Sequence, residues 1–138
     1  MQWNKTSRLV KHQELNHHGT LFAGRMSEWF VENCFICGAM TTGKPNNIVC
    51  VNIHGLNFNT PSVNGDIINI SSTIVRVGRS SFTVYGAITK NALETVICEG
   101  FITFAFVDEN NIPILHNIVL DETTNEVELS LRERALNL

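Results

Sequence analysis

The sequence predicts an α+β fold in which a curved antiparallel sheet wraps one long central helix and a shorter C-terminal helix follows. Three observations carry that expectation. Leu21 to about Met40 reads as a single helix, closed by Thr41-Thr42-Gly43 and Pro45. From Ile48 to Val107 the chain is rich in β-branched residues and alternating apolar positions. Glu122–Leu138 then returns to helical spacing. A lone helix of this kind has to bury its apolar surface on a sheet.

Taken in order, a short strand is expected from about Thr6 to Val10, and the long helix follows the turn around Asn16–Thr20. Ile48–Phe58 reads as a strand with a phase break at Gly55. Ile67–Val77 and Ser81–Ile88 are further strands, and Thr95–Val107 alternates through Phe101, Ile102, Phe104 and Phe106. Gly65-Asp66, Gly78-Arg79 and Asp108-Glu109-Asn110-Asn111 are the turns between them. In the tail, Val127, Leu131 and Ala135 share a stripe, and Glu128 precedes Arg132 at the spacing of a helix-surface ion pair.

At 138 residues and 43% hydrophobic content, the chain is expected to form one domain over 1–138. Its net charge of −3 leaves no basic footprint for nucleic acid. No apolar run suits a membrane span or a signal peptide, so no membrane partner is expected and the cytoplasm is the expected compartment. Cys34, Cys37, Cys50 and Cys98 are too sparse for a disulfide framework. Cys34-x-x-Cys37 has the spacing of a zinc or redox pair, but no second pair follows and the surrounding helix is apolar. Two buried thiols are expected there, with no metal and no cofactor.

Chemistry concentrates in Asn16–Glu32. A His- and Gly-rich turn runs directly into an apolar helix, presenting unpaired backbone N–H groups and the positive end of the helix dipole. That is the material of an oxyanion site. Arg25, Glu28 and Glu32 lie along one side of the helix, whereas Cys34–Met40 carries no charge and reads as buried all round. Glu32, the last charge before the apolar half, is expected to be the most desolvated carboxylate, with a raised pKa and a use as base or nucleophile. The alternative is a structural ion pair with a basic neighbour.

Asn16-His-His-Gly19-Thr-Leu-Phe22-Ala-Gly24-Arg-Met26 resembles the signature of hotdog-fold acyl-CoA thioesterases, in which Asn-x-x-Gly-Thr-Leu-Phe-Gly-Gly opens the long central helix. Ala23 is the one departure within it. Phe58-Asn-Thr-Pro61-Ser-Val-Asn-Gly65-Asp66, Val75-Arg-Val-Gly78-Arg79-Ser80-Ser81 and Phe101–Asp108 resemble later blocks of the same family, in the same order.

The resemblance implies hydrolysis of an acyl-CoA thioester. Its carbonyl would be held by backbone N–H groups around Ala23 and Gly24, and a helix carboxylate would activate water or attack directly. The family's usual acid falls on Val31; Glu32 matches the acidic residue that often follows it, about 100° further round the helix. Thr20 stands where some relatives carry Asn or Asp, and a threonine can orient substrate but cannot act as a base. Asn16 is implied in catalysis and also suits a local turn. His18 could hold water or phosphate or face solvent. Arg79, Ser80 and Ser81 suit coenzyme A phosphates, or form a plain hairpin turn. The resemblance further implies at least a homodimer, joined edge to edge, with sites drawing on both subunits. No nucleophile elbow, phosphate loop, dinucleotide fingerprint or His-Glu-x-x-His competes with this reading. A hotdog domain that binds acyl-CoA or a related ligand without cleaving it is the alternative.

Overall fold

A computed structural model describes residues 2–138. Strand β1 (Asn4–Leu9) leads through a short 3-10 turn into helix α1 (Ala23–Thr42), and β2 (Ile48–Ile53), β3 (Ile67–Val77), β4 (Ser81–Lys90), β5 (Cys98–Phe106) and helix α2 (Glu126–Leu136) follow. The strands form one antiparallel sheet in the order β1-β3-β4-β5-β2. Helix α1 ends as expected, with Gly43 at φ +70° returning its N–H to the Ala39 carbonyl, a left-handed cap that glycine adopts without steric cost.

Alternation along the strands divides the sheet into two faces. Ile74, Val84, Ile102 and Phe104 face α1 and pack with Phe30 and Cys34, while Val75, Tyr85 and Phe101 face Leu131 and Ala135 of α2. The helices therefore cover opposite faces. Phe30 is seated so closely that a Cβ on Gly86 would come within 2.6 Å of its ring, so a side chain at Gly86 would displace the α1 core.

On the other face the Tyr85 hydroxyl donates to Glu99, whose carboxylate also pairs with Arg134 of α2. Burial is the main cause that pushes the Tyr85 phenol up to about 12, so the phenol remains a donor across the ordinary range.

Asn33 ties α1 to the sheet. Its Nδ2 donates to Thr6 Oγ1 at 2.8 Å and to the Ile70 carbonyl at 3.2 Å, and its Oδ1 accepts from Ser72 Oγ at 2.5 Å. This buried amide is therefore fully used.

Several sequence expectations need correction. The second half of α1 is not buried all round: Met40 is 78% exposed, because the sheet grips Phe30, Cys34 and Cys37 and leaves the last turn outside. Val127 is exposed while Leu131 and Ala135 are buried, since α2 touches the sheet only through its later turns. Strand β2 ends at Ile53, where a register shift between Cys50 and Asn52 already marks its irregularity. The chain from His54 to Asp66 then runs irregularly to the tip of α1.

Candidate active site at the tip of the central helix

The turn before α1 is built by Asn16. Its Oδ1 accepts from the His18 and Thr20 amides at 2.8 and 3.2 Å, and its Nδ2 donates to Thr20 Oγ1 at 3.0 Å. Gly19 takes φ +78°, and Leu15 bridges to Leu21, closing the loop. The side chains of Asn16 and Thr20 are thus spent on each other and on their own turn. The His17 and His18 rings lie 3.9 Å apart between centroids, tilted by 42°, and both residues are exposed.

Phe22, the cap residue, offers no side-chain acceptor to the helix. Its carbonyl accepts from Arg25 and Met26, but the Ala23 and Gly24 amides take no acceptor among the described residues. Those two N–H groups, at the positive end of a 20-residue helix, are the free donors that an oxyanion site needs.

Two concavities border this tip, one reaching Ala23 and the other Gly24. One is a cavity of about 230 Å³ lined by Asn16, Thr20, Ala23, Met26, Phe58 and Ser62. The other is an open groove along α1 that brings Gly24, Val31 and Glu32 beside Cys50 and Phe104. Asn16, Thr20 and Ala23 therefore line one cavity, and Gly24 and Glu32 line the groove. The larger cavity, about 550 Å³, lies by the far half of α1 between Cys37, Met40, Thr73 and Leu120. Among the described residues no basic side chain lines it, and burial pushes the Cys37 thiol upward, which suppresses its reactivity.

Glu32 departs from the sequence expectation. Its side chain is 50% exposed and pairs with Arg8 of β1 at 2.7 Å, so it is not the most desolvated carboxylate. That description fits Glu14 better: it is 11% exposed and lies 3.5 Å from Arg25, beside the backbone that receives the Phe22 amide. The reason is tertiary, because β1 supplies Arg8 to the helix side on which Glu32 lies.

Arg79 and Ser80 lie in the turn between β3 and β4 and Ser81 opens β4, with Arg79 exposed. Phe82, next in the chain, packs against Gly38, which lies roughly 20 Å along the helix from Gly24 at about 1.5 Å per residue. Within one protomer this turn and the α1 tip stand apart. His116 Nε2 lies 2.9 Å from the Ser81 carbonyl, which fixes that backbone in place.

Sequence reading missed Ser62. It is 2% exposed, its carbonyl accepts from the Leu21 amide at 2.7 Å, and its hydroxyl has no partner among the described residues. A small polar residue between Pro61 and Val63 was its only signal.

A central helix held by an antiparallel sheet with its amide-rich tip at a cavity defines the hotdog class of acyl-thioester proteins. The profile of the thioesterase superfamily matches residues 18–97, and the chain belongs to that superfamily. It is 28% identical over 129 residues to an uncharacterized acyl-CoA thioester hydrolase of Bacillus subtilis, with 91% of this chain and 73% of the relative aligned. A hexameric acyl-CoA thioesterase crystallised without ligand is 26% identical, with a TM-score of 0.85 over 98% of this chain and 86% of that one. An acyl-CoA hydrolase of Staphylococcus aureus, solved with butyryl-coenzyme A, coenzyme A and coenzyme A disulfide, is 24% identical with a TM-score of 0.85. The match covers 98% of this chain and 80% of that structure and supports the shared fold.

Proposed function

We propose that this protein hydrolyses an acyl-CoA thioester to the free acid and coenzyme A. The observation that carries the reading is the pair of unpaired amides at Ala23 and Gly24. Aimed at a thioester carbonyl, they would stabilise the negative charge that develops on its oxygen during attack, and an N–H fixed in the backbone needs no reorganisation to do so. Leu21, Met26 and Phe58 supply apolar wall for the acyl group, and Asn16 and Thr20 hold the turn that shapes the entrance.

Glu32 is the base or nucleophile in this scheme. It shares a groove with Gly24, and its partner Arg8 is half-exposed, so the ion pair can open at modest cost. Strand β2 supports a second copy alongside the first: it lies at the sheet edge with Val49, Val51 and Ile53 exposed. Such pairing would bring a partner to the groove and could deliver an Arg79 turn to the coenzyme A end; sedimentation as a stable monomer would contradict it. We retain the cytoplasm as the compartment; no helix among the described residues is long and apolar enough to cross a membrane.

The test is release of free thiol from a panel of acyl-CoAs of different chain length. Glu32→Gln is expected to lower turnover by about two decades while leaving the unfolding midpoint nearly unchanged. Unchanged turnover would remove Glu32 from the mechanism. The second reading, binding without cleavage, is favoured by Val31 lying in that groove where the family's acid is expected. Tight acyl-CoA binding with no thiol release would establish it.

A further inference from the structure

Phe22, Ala23 and Gly24, which carry the start of α1, are all exposed, whereas Leu21 before them and Met26 after them are buried. Packing therefore fixes the two ends of this stretch and leaves its middle, with both free amides, to hydrogen bonds and ion pairs. Glu14 supplies one on each side. Its carbonyl accepts from the Phe22 amide at 3.0 Å, immediately before the free pair, and its carboxylate lies 3.5 Å from Arg25 Nε, immediately after it. The Glu14 backbone is itself anchored, since its amide donates to the Lys11 carbonyl at 2.9 Å and the next residue, Leu15, bridges to Leu21. The side chain is only 11% exposed, with Lys11 at 4.0 Å and Arg25 as its charged neighbours, and Arg25 lies a further 3.5 Å from Glu28. Covering a carboxylate is costly and such pairs do little more than offset it, so stability is weak ground for a glutamate here.

We propose that Glu14 is a positioning residue for the oxyanion site: holding Phe22 through its carbonyl and Arg25 through its carboxylate, it sets the direction in which the Ala23 and Gly24 N–H groups meet a bound thioester carbonyl. The inference rests on the acyl-CoA reading above but not on cleavage. Direction matters because a hydrogen bond weakens steeply as its angle closes, and because donors fixed beforehand need no reorganisation when charge develops. The charge of Glu14 cannot be the useful part, since a negative group near the tip opposes a negative oxygen. Geometry and charge therefore give opposite expectations for glutamine, which keeps an oxygen for Arg25 and loses the charge.

The experiment compares two coenzyme A thioethers of equal chain length, neither of which can be hydrolysed. A 2-oxoalkyl-coenzyme A retains a carbonyl oxygen, and the alkyl-coenzyme A lacks it. Calorimetric Kd values are measured for the parent protein, Glu14→Ala, Glu14→Gln and Arg25→Met, the last removing the other end of the tether. The parent is expected to prefer the ketone. Glu14→Ala and Arg25→Met should each reduce that preference about five- to tenfold, the size of one hydrogen bond, with alkyl-coenzyme A affinity unchanged, while Glu14→Gln keeps most of it. A role confined to stability would not separate the two ligands. Unchanged preference in Glu14→Ala or Arg25→Met, equal weakening of both ligands, or a glutamine variant as impaired as alanine would overturn the assignment. Should Glu14→Ala fail to fold, Arg25→Met carries the same test. Loss of preference in a protein that releases no thiol from acyl-CoAs would sink hydrolysis and leave Glu14 in its role; a parent that binds neither ligand, or does not favour the ketone, would sink both.

Discussion

Asn33 in the middle of α1 and Ser62 at its tip are buried to 1% and 2% exposure, and their surroundings treat them in opposite ways. The Asn33 amide meets Thr6, Ile70 and Ser72, whereas the Ser62 hydroxyl meets nothing among the described residues. Packing follows the same division. Around Phe30 the sheet lacks room for one more carbon on Gly86, while at the tip about 230 Å³ stays open beside Ala23 and its free amide. The lesson is one of allocation: the middle of the helix holds the fold together, so the tip can leave polar groups without partners.

The contrast can be broken most severely in the middle. Phe30→Ala should destabilise the protein by about 3–5 kcal/mol, since the cavity forms between a helix and a sheet that cannot close on it. Asn33→Leu should cost about 1–3 kcal/mol by removing the amide's bonds to Thr6, the Ile70 carbonyl and Ser72, which leaves the Ser72 hydroxyl only the Asn33 backbone carbonyl at 3.4 Å. Both are read from denaturant midpoints at unchanged slope, and a loss no larger than that of Ser62→Ala would dissolve the distinction between the two regions.

A smaller effect sharpens the comparison at the loop that carries Ser62. The Val63 amide, first among its causes, holds the Asp66 carboxyl below the ordinary value of 3.8, with Asn91 and Lys90 assisting. Ionised Asp66 is the form the fold favours, so its stabilisation is fully present above that ordinary value and is lost as pH falls through the lower folded value. Asp66→Asn should flatten the acid side of the stability curve as pH falls through and below the ordinary value of 3.8. A curve that keeps its full acid slope would show that this loop is held by other contacts.

Much of the fold was readable from local pattern. Ile67–Val77 is a strand with the bounds its alternation predicts, and the helix stops at Gly43, where glycine tolerates the left-handed turn. Ala23, Asn16 and Thr20 also meet at one cavity, because a turn leading into a helix brings near neighbours together. Glu32 was misjudged for the opposite reason. Its environment is set by Arg8, which arrives from another element through the pairing of β1 with β3, and no spacing within the helix reports that.

The amino-acid sequence alone determined the elements, their order and the amide-rich start of α1, all of which follow from propensity and periodicity within a few turns of chain. The tertiary structure decided which polar groups found partners. Arg8 reached Glu32, Ser72 reached Asn33, and Ser62 was carried against Leu21 with its hydroxyl left over. Hydrogen bonds are satisfied over a few ångströms of space whatever the distance along the chain, so their accounts close only once the sheet and helix have met.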